Sequence, residues 1–296
     1  MFRRLTRAQL SFLVAFSSLT GYLLYPAESN VAHGLLLCLA VWLLAAGGSA
    51  LNQVQEKDVD ARMFRTRNRP LVTGYLGKRS GVLISGLLII AGLSVLSYLN
   101  NNQVFLLGCF ALIWYNGVYT SLKRLTPFAV LPGSLCGAIP PVMGWLLAGG
   151  TATDYRIILL AGIIVLWQVP HFWLLALAYP EDARRSGLPN LFSRIRPERL
   201  KRLILIWIIA LLTGIASGNL FGLLKADILR IGLLAAMLLF VGMLIRYSRS
   251  KLEPKASSRL FAGLNLFMAL WFVGMSVDRY AAENTTLLSY LRVFLG

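Results

Sequence analysis

Charge is scarce in this sequence: only 14% of its 296 residues are Asp, Glu, Lys or Arg, whereas soluble domains average about 25%. Apolar residues make up 57% of the chain, and its mean hydropathy is +0.68. Too few polar groups are present to cover a folded chain of this composition in water. The composition therefore excludes a water-soluble globule, a disordered chain and a fibrous protein, and it predicts an integral membrane protein.

Acidic residues and cysteines are also few. The chain has 12 Asp and Glu against 29 Lys and Arg, which gives a formal net charge of +17. In a soluble protein this excess would indicate nucleic acid, but in an apolar chain it is typical of cytoplasmic loops and of anionic lipid or diphosphate partners. We therefore expect no nucleic-acid partner. The three cysteines lie in apolar stretches without metal or redox spacing, and they predict neither kind of site.

Long apolar runs dominate what is present. A bilayer core about 30 Å thick needs roughly 20 apolar residues per helix. Nine stretches satisfy this requirement, near residues 8–25, 33–52, 81–99, 102–121, 129–149, 157–179, 203–222, 229–247 and 260–277. The sequence thus predicts an all-α membrane protein with nine transmembrane helices and a single domain over residues 1–296.

The positive charges are distributed unevenly about these spans. Of the 29 Lys and Arg residues, 24 lie in the N-terminal segment or in the loops after the even-numbered spans. Because positive loops stay in the cytoplasm, this predicts a cytoplasmic N-terminus and an external C-terminus. The first span begins by about residue 8, so we expect no mitochondrial transit peptide, and we expect the cytoplasmic (inner) membrane of a bacterium.

The spans contain no Asp, Glu, Lys or Arg apart from residues at their boundaries. Ion pumps and many transporters need such groups at the bilayer midplane, so their absence counts against an ion transporter. We expect the polar chemistry in loops on the predicted cytoplasmic side, near residues 53–80, 122–128 and 180–202.

The first of these loops begins with regularly spaced oxygen-bearing residues. If the second span continues as a helix, then Asn52, Glu56 and Asp60 share one stripe, and such oxygens suit Mg²⁺. A solvated, salt-bridged helix end is the competing interpretation. Three arginines that could bind phosphate oxygens follow at once: Arg65, Arg67 and Arg69.

A second acidic group follows the sixth span. Glu181 and Asp182 come after the segment that holds His171, and on a continuous helix His171 and Asp182 would share a face. His171 would then face the acids from inside the bundle, although a lone apolar-helix histidine is more often a packing residue. Between the two acidic groups a row of aromatic and basic residues is either a binding row or an interface belt: Tyr115, Tyr119, Lys123 and Arg124.

Acids and cations above an apolar bundle predict a particular kind of substrate. A diphosphate head would be held by Mg²⁺ and the basic side chains, which would neutralise it as a leaving group. An isoprenoid tail and an allylic cation would lie below, where water is excluded and aromatic faces stabilise positive charge.

At these residues the sequence resembles the UbiA superfamily of intramembrane prenyltransferases, and more narrowly its heme-farnesylating branch. The superfamily pattern Asn-x3-Asp-x3-Asp is matched by Asn52, Glu56 and Asp60. The motifs typical of the branch are Leu-Lys-Arg-x-Thr at 122–126, Gly-Ala-x-Pro-Pro-x-x-Gly-Trp at 137–145 and Trp-Gln-x-Pro-His-Phe-Trp at 167–173. The motifs occur in the order expected of that branch.

The resemblance implies transfer of a farnesyl group from farnesyl diphosphate to the vinyl group of protoheme IX, with heme O and diphosphate as products. The resemblance also implies that the reaction takes place in the lipid bilayer and that a downstream heme A synthase is a partner. Asp60, Lys123 and His171 are the implied catalytic residues, with His171 either contacting heme or acting as a base. The implied Mg²⁺ ligands are Asn52, Glu56, Asp60 and Asp182, and the implied diphosphate-binding residues are Arg65, Arg69, Lys123 and Arg124.

Three positions depart from the family pattern. Glu56 stands in place of the usual Asp, Ala129 in place of a common Asn, and Ala183 in place of a frequent Tyr. Alternatives therefore stay open: a prenyltransferase acting on an aromatic or quinone-precursor acceptor, a heme or lipid transporter, and a non-catalytic scaffold for assembly of a respiratory oxidase.

Overall fold

The computed structural model describes residues 1–25, 30–191 and 194–295, with side chains described up to residue 279. The described part is helical throughout and contains no strand. Its helices are α1 (Phe2–Leu5), α2 (Ala8–Leu24), α3 (Val31–Gln55), α4 (Lys57–Arg62), α5 (Lys78–Tyr98), α6 (Asn102–Leu112), α7 (Thr120–Leu122), α8 (Val130–Gly133), α9 (Leu135–Leu147), α10 (Tyr155–Ala178), α11 (Pro180–Arg185), α12 (Pro197–Leu220), α13 (Asp227–Arg249) and α14 (Pro254–Leu295).

Eight helical stretches of the described chain are long and apolar enough to cross a membrane: Val31–Gln55, Lys78–Tyr98, Asn102–Leu122, Pro127–Leu147, Tyr155–Ala178, Pro197–Leu220, Asp227–Arg249 and Pro254–Arg279. Helix α2 is also apolar but has 17 residues, about 25 Å at 1.5 Å per residue, against a hydrocarbon core of about 30 Å. The chain is therefore an all-helical, multi-pass membrane protein. A ninth span formed by α2 stays a prediction.

The helices form a closed bundle around two large apolar cores and a smaller one. Helices α2, α3, α5, α6 and α9 supply the first large core, α10, α12, α13 and α14 supply most of the second, and Leu5, Ala50, Val54 and Leu71 form the smaller one. Helix α14 returns to α2, where Thr20 Oγ1 and Ser276 Oγ lie 3.1 Å apart. Glycines allow the closest approach of the bundle, between α2 and α9: a Cβ on Gly144 would overlap the Ser18 carbonyl oxygen, and a Cβ on Gly21 would overlap that of Pro141.

One end of the bundle, here called the polar end, carries the N-terminus and residues 56–77, 123–129, 179–191, 194–196 and 250–253. The side-chain amide of Gln53 donates to the Arg4 carbonyl at 2.9 Å, which joins the N-terminus to this end. Lys201 Nζ likewise donates to the Ser250 carbonyl at 2.5 Å. The predicted loops thus share one end, apart from residues 192 and 193, which lie outside the described residues. The membrane face that this end meets stays a prediction from the positive charges.

Two irregular segments shape the polar end. Helix α3 ends at Gln55, and Glu56 (φ −107°, ψ 15°) interrupts the helix before α4 begins. The Glu56 N–H still donates to the Asn52 carbonyl at 2.9 Å and the Asp60 N–H to that of Glu56 at 2.8 Å, so the i, i+4 spacing persists across the interruption. The third long span ends in a π-helix, Ile113–Tyr119, a widened turn of the kind that often occurs at functional sites.

Candidate active site

The three residues predicted to lie on one stripe are buried together where α3 meets α4. Asn52, Glu56 and Asp60 are 1%, 5% and 1% exposed, respectively. A buried carboxylate is costly unless a cation or hydrogen-bond donor accompanies it. The competing interpretation of a solvated helix end is therefore wrong for these side chains, because a solvated end would leave them in water.

Asp60 pairs with Arg69, as its buried position requires. The Arg69 guanidinium donates to Asp60 Oδ2 in a short ion pair. Burial raises the pKa of the Asp60 carboxyl, and Arg69 opposes that rise. Burial likewise lowers the pKa of Arg69, while Asp60 opposes that fall. The Thr66 hydroxyl donates to the Asp60 backbone carbonyl at 2.9 Å, which folds the arginine-bearing segment back onto the acid.

Glu56 pairs with a cation from a different span. Lys123 Nζ lies 2.6 Å from Glu56 Oε1 and 5.0 Å from the centroid of the Tyr119 ring. Burial lowers the pKa of Lys123, and Glu56 opposes that shift. The π-helix places the end of the third long span against α3. Lys123 follows it in the chain and therefore lies beside Glu56.

Asn52 offers an oxygen that nothing in the described chain uses. Its Nδ2 donates to Thr120 Oγ1 at 3.1 Å, and its buried Oδ1 has no hydrogen-bond partner among the described residues. No group of three or more His, Cys, Asp or Glu in the described chain converges on one point. One amide and two carboxylates nevertheless fit Mg²⁺, which commonly binds one or two carboxylates and completes its shell with water and substrate phosphate.

Asp182 lies on the other side of the site from these three residues, and it holds the loop that carries the arginines in place. Its carboxylate accepts the backbone N–H of Phe64 at 2.7 Å and that of Arg65 at 3.2 Å. Asp182 is only 6% exposed. The contact ties α11 to residues 63–65 and places the Arg65 guanidinium 5.9 Å from the centroid of the Tyr179 ring.

Two cavities adjoin at this place. The mouth cavity, about 240 Å³, is lined by Arg65, Lys123 and Asp182 among others. The apolar chamber, about 200 Å³, lies deeper and is lined by residues such as Val41, Leu44, Gly108, Ala111, Leu112 and Met143. Tyr119 and Phe172 line both cavities, so the two rings stand at their junction.

Two motif residues build the wall of the chamber. The Gln168 amide donates to the Ser134 carbonyl at 2.9 Å, across the break between α8 and α9. Its amide group occupies the space where any side chain on Gly137 would lie. Both residues also line the chamber. The Gly-Ala-x-Pro-Pro and Trp-Gln-x-Pro-His segments are thus complementary surfaces of two neighbouring helices.

His171 and Arg124 lie away from the mouth cavity. His171 does not face the acids as expected, because α10 ends at Ala178 and the next turn is interrupted. It packs instead against α14, with Nδ1 2.7 Å from Asn265 Oδ1 and its ring centroid 4.8 Å from that of Phe261. Arg124 is exposed and donates to the Gln55 carbonyl at 2.7 Å, which caps α3.

The sequence interpretation missed Arg7. This residue stands between α1 and α2 with a left-handed backbone (φ 47°, ψ 49°), a strained conformation for a non-glycine residue. Its charge acts on Asp60, Arg69 and Lys123. In the described chain its guanidinium has no hydrogen bond or ion pair. Arg7 counted only as a topological charge in the sequence, because no local pattern indicates that the N-terminal segment folds back over the site.

Comparison with known proteins gives a consistent match. The sequence model described as the UbiA prenyltransferase family matches residues 14–273. The chain is similar to a protoheme IX farnesyltransferase of Geobacter sulfurreducens, with 42% identity over 90% of this chain and 94% of the relative. It is also similar to a protoheme IX farnesyltransferase of Albidiferax ferrireducens, with 33% identity over 94% of each.

Solved structures share the fold. A structure of digeranylgeranylglyceryl phosphate synthase superposes with a TM-score of 0.74 at 14% identity, over 94% of this chain and 97% of the other. A UbiA homologue from Archaeoglobus fulgidus, bound to GPP and Mg²⁺, superposes with a TM-score of 0.66 at 20% identity, over 93% of this chain and 99% of the other. At these identities the likeness establishes the fold of the bundle.

Proposed function

The chain belongs to the UbiA prenyltransferase family, and from that premise we propose that it transfers the farnesyl group of farnesyl diphosphate to a vinyl group of protoheme IX. The products are heme O and diphosphate. One observation carries the proposal: the mouth cavity, whose lining includes the charged residues Arg65, Lys123 and Asp182, adjoins an apolar chamber at Tyr119 and Phe172. A substrate with an anionic head and an isoprenoid tail is divided in the same way, into one charged part and one apolar part. The choice of protoheme IX as the acceptor rests on the names of the similar proteins.

We assign the diphosphate to the cations around the mouth cavity. Arg65 and Lys123 line the mouth cavity, whereas Arg69 and Arg7 lie behind the residues that line it. In the resting arrangement Lys123 and Arg69 are engaged by Glu56 and Asp60. Entry of an anion with up to three negative charges would draw both cations toward phosphate oxygen, because a diphosphate offers them more negative charge than one carboxylate. A contact between Arg124 and the diphosphate stays a prediction, since the Arg124 side chain caps α3 in this structure.

The carboxylates released by this exchange are the proposed metal ligands. Asn52 Oδ1, Glu56 and Asp60 would hold Mg²⁺ on one wall, and Asp182 would act from the other, directly or through water. The chemistry that such an ion supplies is neutralisation of charge on the leaving diphosphate. Asp60 and Lys123 are catalytic in this proposal because both contact the departing group or its ion.

Transfer requires one bond to break and one to form. The bond between C1 of the farnesyl group and the diphosphate oxygen breaks, and the oxygen keeps the electron pair. The vinyl π electrons of the acceptor form the new bond to C1, and water captures the resulting carbocation and loses a proton. The ring faces of Tyr119 and Phe172 stand where the allylic cation would form, and aromatic faces stabilise such charge. The dry chamber below keeps water from capturing that cation first.

We assign His171 to acceptor contact rather than to base catalysis. Asn265 Nδ2 donates to the Phe261 carbonyl at 2.7 Å, so its Oδ1 faces His171 and accepts from Nδ1–H. That assignment leaves the Nε2 lone pair available. The surrounding rings of Trp167, Phe172 and Phe261 suit a flat aromatic acceptor such as heme.

In this proposal the protein works in the cytoplasmic membrane of a bacterium, with its polar end in the cytoplasm, and heme A synthase uses the product. Membranes containing the chain are incubated with farnesyl diphosphate and Mg²⁺, together with either heme or 4-hydroxybenzoate, and the products are identified by mass spectrometry. We expect farnesylated heme and released diphosphate. Product from 4-hydroxybenzoate alone would indicate the aromatic-acceptor alternative, and heme uptake without diphosphate release would indicate a transporter. Asp60→Ala should abolish product while the protein remains inserted.

A further inference from the structure

A third cavity, unrelated to the proposed reaction, lies at the polar end between α13 and α14. Its volume is about 450 Å³, and it shares no lining residue with the mouth cavity or the chamber. Three of its lining residues are cationic, namely Arg246, Lys255 and Arg259, and its one acid is Glu253. The cavity therefore carries a formal excess of two positive charges.

These cations have no counter-ion within the described chain. None of Arg246, Lys255 and Arg259 forms an ion pair or a side-chain hydrogen bond there. Lys201, beside the cavity, differs from them: its Nζ donates to the Ser248 and Ser250 carbonyls and so caps the end of α13. Like charges gathered around one hollow repel one another, and an anion in the hollow would remove that repulsion.

The lining of the cavity also includes apolar side chains. Met243, which is 37% exposed, and the buried Leu260 are among its lining residues. The two helices pack closely beside it, since a side chain on Gly263 would overlap Met243. The outer faces of the same two helices expose large apolar side chains along their length, including Leu239 (78% exposed) and Leu266 (62% exposed). The cavity thus joins a cationic rim to a surface suited to hydrocarbon.

We propose that this cavity binds the phosphate headgroup of an anionic phospholipid, whose acyl chains lie against α13 and α14. Basic pockets between transmembrane helices at the cytoplasmic surface suit such headgroups, and each nearby Lys or Arg contributes about 1 kcal/mol. Free phosphate or diphosphate shares the headgroup chemistry. A lipid is favoured because the cavity adjoins exposed apolar helix faces, which a free anion would leave uncovered.

The test uses the purified full chain in mixed micelles. Thermal unfolding is measured with dioleoyl phosphatidylglycerol, with dioleoyl phosphatidylcholine, and with inorganic phosphate or diphosphate. The variant combines Arg246→Gln, Lys255→Gln and Arg259→Gln. The matched control combines Lys78→Gln, Arg79→Gln and Arg199→Gln, which removes three exposed cations from elsewhere on the polar end. Lipid retention is read in parallel by native mass spectrometry.

We expect phosphatidylglycerol to stabilise the native chain and the control more than phosphatidylcholine does. Loss of three charges should weaken its binding by about 100-fold, because three contributions of about 1 kcal/mol each correspond to that factor. Equal binding of the two lipids would overturn the proposal, as would unchanged selectivity in the triple variant. Stabilisation by inorganic phosphate equal to that by phosphatidylglycerol would identify a free-anion site instead. Farnesyl transfer plays no part in these readouts.

Discussion

Lys123 Nζ lies 2.6 Å from Glu56 Oε1, so a cation at the end of one transmembrane span closes an ion pair with an acid at the end of another. Both residues are largely buried, and Lys123 lines the mouth cavity. A buried pair of this kind is a poor source of stability, because desolvation offsets its attraction. The pair has a functional explanation: each partner is held in a place where an incoming diphosphate and its metal ion can engage it.

Replacement of Lys123 should lower turnover, and it should also cost stability, because it leaves the buried Glu56 carboxylate without its cation. We expect Lys123→Ala to lower kcat by about 10²–10³-fold, the usual cost of removing one group that stabilises transition-state charge. Lys123→Arg should retain part of the activity, since it keeps the charge. The measurement is heme O formation in membranes at matched protein levels. Lys57→Ala, which removes an exposed lysine one residue from Glu56, serves as the control and should behave as the native chain.

The unused oxygen of Asn52 gives a prediction about metal dependence. Chelation with EDTA should stop the reaction, and Mg²⁺ should restore it. In Asn52→Ala the Mg²⁺ concentration for half-maximal rate should rise at least about tenfold, because losses of this order follow even from changes to groups that only orient metal ligands. Asn68→Ala, at an exposed asparagine of the same loop region, is the control. An unchanged Mg²⁺ requirement in Asn52→Ala would remove this residue from the metal site.

The apolar chamber should limit prenyl chain length. Val41 and Met143 line it far from the junction at Tyr119, so Val41→Phe or Met143→Phe should shorten the space for the tail. We expect the ratio of rates with geranyl and farnesyl diphosphate to shift toward geranyl diphosphate. Leu87→Phe adds bulk on an exposed face of α5 and should leave the ratio unchanged. If the ratio of the two rates is the same in all three variants, the prenyl tail does not bind in this chamber.

Kinetics can separate the two possible roles of His171. If it contacts the acceptor, His171→Ala should raise KM for heme while KM for farnesyl diphosphate stays the same. Asn265→Leu should have a smaller effect in the same direction, because it removes the partner that orients the ring. A base role predicts instead a fall in kcat with both KM values preserved.

The close contact of α2 with α9 should govern stability. Gly144→Ala introduces a methyl group that would overlap the Ser18 carbonyl oxygen, and overpacking of this kind costs about 1–3 kcal/mol. The melting temperature in detergent should fall. Gly162→Ala is a matched control within α10, where a Cβ meets nothing within 4 Å. It should raise the melting temperature slightly, since alanine favours a helix by about 1 kcal/mol over glycine.

Local patterns account for much of this molecule. The apolar runs predicted the helical membrane fold, because the length of a span depends only on consecutive residues and the thickness of a bilayer. The spacing of Asn52, Glu56 and Asp60 predicted that they share one stripe, and the i, i+4 hydrogen bonds that continue across the interruption at Glu56 preserve that spacing. Among the described residues, eight helical stretches are long and apolar enough to cross a membrane. A ninth span formed by α2 stays a prediction, because the length of α2 alone does not decide it.

The tertiary structure alone decided which of these groups meet. The pairing of Glu56 with Lys123 and the junction of Tyr119 with Phe172 each join residues more than fifty positions apart, and no periodicity specifies such a contact. Arg7 acts on the site through a left-handed turn. His171 contacts α14 rather than the acids, because the interruption after α10 moves the acids out of its helical register. The physical reason is the same in each case: a sequence fixes the direction of a side chain about its own helix axis, whereas its neighbours depend on how the helices pack.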